Sequence, residues 1–141
     1  MKKFKAFIAL DCKTNNENIR IVKKLSSQVF GFKVGYRSFY SKGSEKLIAE
    51  IKKNRCFLFL DLKFHDIPNT VTTAIASLSK INPDYLTLHI SGGKAMLEQS
   101  LVTIKKNRLK TKILGVTLLT SLDRKDSKLI FSEKNTNILV Y

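Results

Sequence analysis

Apolar residues in this 141-residue chain fall into two alternating patterns. Short, nearly continuous apolar runs occur at residues 4–10, 31–35, 56–60, 85–90 and 112–117. Runs of that length and density read as buried strands. Between them the apolar positions are three or four apart, as on one face of a helix. Ile19, Val22, Leu25 and Val29 predict a helix over 14–30, with Thr14 or Asn15 as its cap. Ser44 is expected to cap a second helix, with Leu47, Ile48 and Ile51 inward. Val71, Ala74, Ile75 and Leu78 line a third. Ser91-Gly92-Gly93 opens a fourth, with Met96, Leu97, Leu101 and Ile104 on one face and Met96 as core filler. Leu129 and Ile130 suggest a further helix over 123–131.

Strand and helix in strict alternation imply a parallel sheet covered by helices. Two architectures are common, the doubly wound open sheet and the (β/α)8 barrel. No G-x-G-x-x-G or P-loop follows the first strand, so the usual sign of the nucleotide-binding open sheet is missing. Charged residues instead end the first three strands, namely Asp11, Lys33 and the pair Asp61 and Lys63. Barrel enzymes build their sites on that face.

Asp61-Leu62-Lys63-Phe64-His65-Asp66-Ile67-Pro68-Asn69-Thr70 is the most informative stretch. Alternation along a strand puts Asp61 and Lys63 on one side, Leu60 and Leu62 on the other. Opposite charges at a buried strand end are costly unless paired or used. Asp66 lies on the following turn, and Pro68 suits the first turn of a helix. In the second strand Gly31, Lys33 and Gly35 share a side, leaving room around one charged side chain.

Composition narrows the picture. Apolar residues at 43% and charged residues at 26% describe a globular chain. No segment approaches the roughly 20 apolar residues that cross a bilayer. Residues 1–10 resemble a secretory signal only faintly, because Asp11 stops the apolar run and no small-residue cleavage site follows. The expected location is the cytoplasm. Cys12 and Cys56 show no metal-ligand spacing and read as reduced, partly buried thiols. The net charge of +15 invites a nucleic-acid partner, but the lysines cluster as Lys23-Lys24, Lys52-Lys53 and Lys105-Lys106 on polar faces or ends of predicted helices. Solvated helix surfaces account for them, and no nucleic acid or membrane partner is expected. The positive field still favours an anionic substrate.

Asp61-x-Lys63-x-x-Asp66 followed by Ile-Pro-Asn-Thr resembles the signature of bacterial-type orotidine 5′-phosphate decarboxylases. Ala9-Leu10-Asp11, Phe32-Lys33-Val34-Gly35, His89-x-Ser91-Gly92-Gly93 and residues 116–122 fall where that family has its other motifs. The resemblance implies a (β/α)8 TIM-type barrel, and it settles the architecture. A barrel needs eight strands and about 250 residues. Five are predicted here, so residues 1–141 are expected to be the N-terminal part of one barrel domain.

The implied reaction is decarboxylation of orotidine 5′-phosphate to UMP, in pyrimidine biosynthesis, without metal or organic cofactor. The implied catalytic array is Lys33, Asp61, Lys63 and Asp66, with Lys63 as proton donor and Asp66 serving the neighbouring subunit of a homodimer. Asp11 and Lys33 resemble the ribose-holding residues, and Ile67 and Thr70 those that reach in from the partner. Thr120 and Ser121 lie where the family contacts the pyrimidine. The whole run Asp61, Leu62, Lys63, Phe64, His65, Asp66, Ile67, Pro68, Asn69 and Thr70 is expected to wrap the substrate. The family's phosphate grip lies in later loops, so the chain by itself is expected to be weak or inactive.

Each residue also has a plainer reading. Asp61 with Lys63 is an ordinary ion pair, Lys33 a snorkelling lysine, Asp11 a helix cap and Thr120 a local turn. His65 and His89 read as hydrogen-bonded neighbours of the site, not catalysts. The rival functions are a metal-dependent sugar-phosphate decarboxylase or synthase of the same superfamily, and a basic RNA-binding remnant.

Overall fold

Parallel neighbours cannot be joined by a tight turn, so each strand must be followed by a crossover, here a helix. The computed structural model describes residues 4–131. In it β1 (Phe4–Ala9) leads to α1 (Asn15–Leu25), and β2 (Val29–Gly35) leads to the short α2 (Tyr36–Tyr40) and to α3 (Ser44–Lys53). β3 (Phe57–Phe64) leads to α4 (Pro68–Ser77), β4 (Tyr85–His89) to α5 (Gly93–Lys106), and β5 (Lys112–Val116) to α6 (Arg124–Phe131). All four pairings are parallel, in the order β1-β2-β3-β4-β5. Every crossover therefore moves one strand over in the same direction, as in a TIM barrel. A doubly wound sheet reverses direction partway. The described residues form five successive β/α units of the barrel type.

The two faces of the sheet are chemically distinct. Phe32, Val34, Leu58, Leu60, Leu62, Leu86 and Leu88 are fully buried in one core with Val22, Leu47, Ile51, Ile75 and Met96 from the helices. Near the N-terminal ends of the strands, Phe7, Phe30, Phe57, Phe59 and Tyr85 form an aromatic cluster. Phe7 makes edge contacts with Phe30, Phe59 and Tyr85 at 5.4–5.6 Å. Phe30 stacks on Phe57 at 4.1 Å. Gly31 makes this possible, because a Cβ there would meet the Phe57 carbonyl oxygen at 2.3 Å and the Phe7 ring at 2.6 Å. The C-terminal ends of the strands are thus left for polar side chains.

Buried polar side chains tie the β1–α1 connection to α2. Asn18, fully buried, donates to Ser38 Oγ at 2.9 Å and to Asn15 Oδ1 at 3.1 Å. Its own Oδ1 accepts from the Cys12 N–H at 3.2 Å. Asn15 donates to the carbonyls of Ser38, Ser41 and Lys42, and Ser38 Oγ donates to the Leu10 carbonyl. The network holds the backbone on both sides of Asp11. Cys56 is buried, and its thiol donates to the Ser26 carbonyl at 3.4 Å.

Several expected boundaries shift. The first helix stops at Leu25, not near residue 30, and Val29 pairs with Phe4 as the start of β2. β-branched Val29 and aromatic Phe30 favour the pleated sheet over a last helical turn. Ser44 is the first helical residue of α3. The cap is Gly43, in the left-handed region at φ +84°, with no side-chain cap bond. Thr14 does cap α1, in a reciprocal capping box with Glu17. α2 was not expected at all, since five residues are too few to show a period. Lys23, Lys24, Lys52, Lys53, Lys105 and Lys106 sit exposed in the last turns of α1, α3 and α5, where cations oppose the helix dipole. Among the described residues no helix is long and apolar enough to cross a membrane.

Replacing Asn18 by Ala would strand the Cys12 N–H and break two further bonds. Asn18→Ala is expected to lower unfolding stability by about 2–3 kcal/mol. Chemical denaturation with an unchanged m-value checks this.

Candidate functional site

β3 carries the site because its ladder breaks at the right point. Leu60 pairs with Leu86, but Phe64 pairs with Leu88, so four residues of β3 advance against two of β4. The surplus forms a bulge, a device that re-aims side chains at strand ends. Lys63 lies in it with φ +39°, a conformation costing a non-glycine residue about 1–3 kcal/mol. Its N–H donates to Thr87 Oγ1 of β4 at 2.8 Å.

Asp61 is the hub. Its Oδ1 accepts from Lys63 Nζ at 2.7 Å and from Thr87 Oγ1 at 3.1 Å, and its Oδ2 accepts from Lys33 Nζ at 3.0 Å. The carboxylate is only 11% exposed, the two lysine side chains 32% and 33%. Two cations on one anion leave a net charge of +1 at the C-terminal end of β2 and β3. Burial alone would raise the Asp61 pKa, but the hydrogen bonds and charges of Lys63 and Lys33 outweigh it and hold the carboxyl below its ordinary range. Asp61 is therefore ionised at neutral pH.

Beside this hub opens a cleft of about 460 Å³, lined by residues of β3, the following loop, α2, α4 and β4. Lys63, Phe64, His65, Asp66 and Thr70 face it, as do Tyr36, Tyr40 and His89. The Tyr36 hydroxyl donates to the Leu62 carbonyl. Burial, then Tyr40 and Asp61, push the Tyr36 pKa up, so it stays a neutral donor. The His65 and His89 rings stack with centroids 4.9 Å apart.

The expected site residues divide accordingly. Lys33, Asp61 and Lys63 meet in one ion-paired group. Asp11 is exposed at the end of β1, its Oδ1 3.8 Å from where a Gly35 Cβ would sit. Asp66 lines the cleft but joins no ion pair among the described residues; its carboxylate accepts from the Ile67 N–H at 2.7 Å. Ile67 is 67% exposed, Asn69 is exposed in the first turn of α4, and Pro68 is that helix's first residue. The Leu62 side chain is fully buried away from the cleft. Thr120 and Ser121 are exposed on the loop after β5 and do not line this cleft.

Sequence reading passed over Thr87, Tyr36 and Tyr40. Thr87 alternates with Tyr85 and His89 along β4, and that two-residue period was the available signal. The tyrosines lie on the unforeseen α2. The assembled chemistry is that of a fixed cation next to an obligate anion. Such a pair can repel a second carboxylate, stabilise negative charge and donate a proton at one atom.

Comparison with known proteins bears on the family and the fold. The model of the orotidine 5′-phosphate decarboxylase / HUMPS family matches residues 5–140. An orotidine 5′-phosphate decarboxylase of Erythrobacter litoralis is 41% identical over 120 residues, covering 85% of this chain and 52% of that protein. One from Wolbachia of Brugia malayi is 42% identical over 118 residues, covering 84% and 51%. The chain spans about half the length of the curated relatives it matches. Among solved structures, an uncharacterized conserved protein of Geobacillus kaustophilus superposes with a TM-score of 0.80 at 31% identity, covering 90% of this chain and 61% of that one. The orotidine 5′-monophosphate decarboxylase of Methanocaldococcus jannaschii gives 0.75 at 27%, covering 96% and 63%. With a family match along nearly its whole length and five β/α units of the barrel type, the chain belongs to the orotidine 5′-phosphate decarboxylase / HUMPS family.

Proposed function

We propose that this chain is the N-terminal part of a single barrel domain that decarboxylates orotidine 5′-phosphate to UMP, in the cytoplasm and as a homodimer. The observation that carries the reading is Lys63, held in a left-handed bulge with its ammonium 2.7 Å from ionised Asp61. The substrate's C6–carboxylate bond breaks and its electron pair stays on C6 as CO2 leaves. That carbanion has no ring position to spread into, so a nearby cation lowers the barrier most. Lys63 supplies the charge, then transfers a proton from Nζ to C6 and is reprotonated from solvent.

Asp61 sits beside the departing carboxylate and disfavours it by repulsion, which its lowered pKa sustains. Lys33 fixes the second oxygen of Asp61 and, with Asp11, holds the ribose hydroxyls. Asp66, Ile67 and Thr70 act on the partner's site. The exposure of Ile67 and the lack of an ion pair at Asp66 among the described residues favour that division. Thr120 and Ser121 contact the pyrimidine, and the remainder of the 61–70 run, apart from buried Leu62, encloses the substrate. The phosphate is gripped by later barrel loops. Remote binding of that kind is used at the transition state, so this chain alone is expected to turn over weakly. No step in this chemistry calls for a metal or cofactor.

In the complete barrel, Lys63→Ala is expected to lower kcat by at least about 10,000-fold, the combined scale of charge stabilisation and acid catalysis, with UMP affinity retained. Single-turnover assays and UMP titration check it, and near-normal turnover would overturn the assignment. Asp66→Ala and Lys63→Ala subunits mixed together should recover part of the activity lost in each homodimer; no recovery would exclude a shared site. EDTA should leave turnover unchanged, and loss with return on adding magnesium would favour the metal-dependent branch of the superfamily.

A further inference from the structure

The loop after β3 has few attachments. Among the described residues, the hydrogen bonds, ion pairs and ring contacts that tie residues 65–67 to other strands reduce to His65. Its ring stacks on His89, the last residue of β4, at 4.9 Å and 28°, and its Nε2 lies 3.5 Å from Ser91 Oγ. The edge of the same ring rests over Gly92, where a Cβ would sit 3.4 Å from His65 Cδ2 and 2.3 Å from Met96 Sδ. Met96, beneath that turn, is fully buried. Among the described residues the Asp66 side chain accepts only from its neighbour's N–H, and Ile67, the N-cap of α4, makes no side-chain cap bond.

We propose that His89 is a positioning residue: while its ring is uncharged it holds His65, and through it the segment carrying Asp66, Ile67 and Thr70, and protonation of His89 releases that segment. The surroundings disfavour a positive charge on His89. Lys63 faces the rings from β3, and α2 offers only the hydroxyls of Tyr36 and Tyr40. α4 presents Thr70, Val71 and Ala74. At the start of α5, exposed Lys94 pairs with Glu98 at 3.8 Å. Among the described residues lining the cleft Asp66 is the one carboxylate, and its Oδ1 accepts from the Ile67 N–H.

Burial, then His65 and Lys63, hold the His89 pKa below its ordinary 6.5. A depressed histidine pKa means the folded state disfavours the proton. The neutral stack therefore contributes fully above pH 6.5, and its contribution is lost as pH falls from there toward the lowered value. Asp61 titrates in a separate window, below its ordinary 3.8, and cannot produce this effect.

The bearing on catalysis rests on the proposed role of the 66–70 segment, but the test does not use nucleotide. Amide exchange of Ile67 and Val71, corrected for intrinsic rates, would be followed with the histidine ring resonances in the full 141-residue chain from pH 8 to pH 5. Protection should fall at least about tenfold on acidification, the scale on which like charges this close destabilise one another, with the midpoint of the His89 ring titration. His89→Phe keeps a flat ring without charge and should stay protected at pH 5, whereas His89→Ala should be unprotected throughout. Wild-type protection that ignores the titration of His89 would overturn the proposal, as would a His89→Phe variant that loses protection like wild type. His65→Phe tests the pair from the other side should His89→Phe not fold. Full turnover by Lys63→Ala would remove the decarboxylase reading and leave the exchange result standing.

Discussion

One carboxylate in a mostly apolar sheet sets the terms for the rest of the structure. Asp61 exposes a tenth of its side chain, and an ionised group so placed must be matched by charge and hydrogen bonds. It has both: Lys33 from β2, Lys63 from its own strand and Thr87 from β4. Three adjacent strands are thereby registered at their C-terminal ends by polar contacts as well as by the ladder. Because two cations share one anion, the group stays positive toward the cleft. The charge is fixed in place before anything binds, which is what preorganised electrostatic stabilisation of an anion requires.

The opposite end of the strands makes this affordable. Stacked and edge-on aromatic rings fill the sheet near its N-terminal ends, and the helix-facing side is closed by leucine, valine and isoleucine. Polar groups are thus confined to the rim where β/α loops emerge. The Asn15, Asn18 and Ser38 network extends the same logic to the loop after β1, fixing the backbone beside Asp11 with its buried side-chain donors and acceptors satisfied. Stability is concentrated beneath the site, and the segment after β3 is more lightly held. Segments held in this way open at lower free energy than the core beneath them.

Much of this was legible in the residues. The alternation of strand and helix, the parallel sheet, the helix-facing leucines of β3 and the pairing of Asp61 with Lys63 all follow from periods of 2 and 3.6 within short windows. Pro68 at the start of α4 and the Thr14 cap follow from backbone chemistry that is equally local. Boundaries were less legible where propensities compete. Val29 and Phe30 satisfy a helical period as well as a strand, and pairing with β1 decides for the strand.

Sequence by itself determined the order of elements, the face each strand presents to the helices and the residue types at the rim, because each depends on neighbours a few positions apart. Only the tertiary structure decided which of those residues meet. The bulge that turns Lys63 needs β4 alongside, the Thr87 hydroxyl reaches Asp61 across 26 residues, and His65 finds His89 across 24. Contacts of that span leave no periodic trace in the chain. They arise when parallel strands of independent sequence are set side by side at a fixed register.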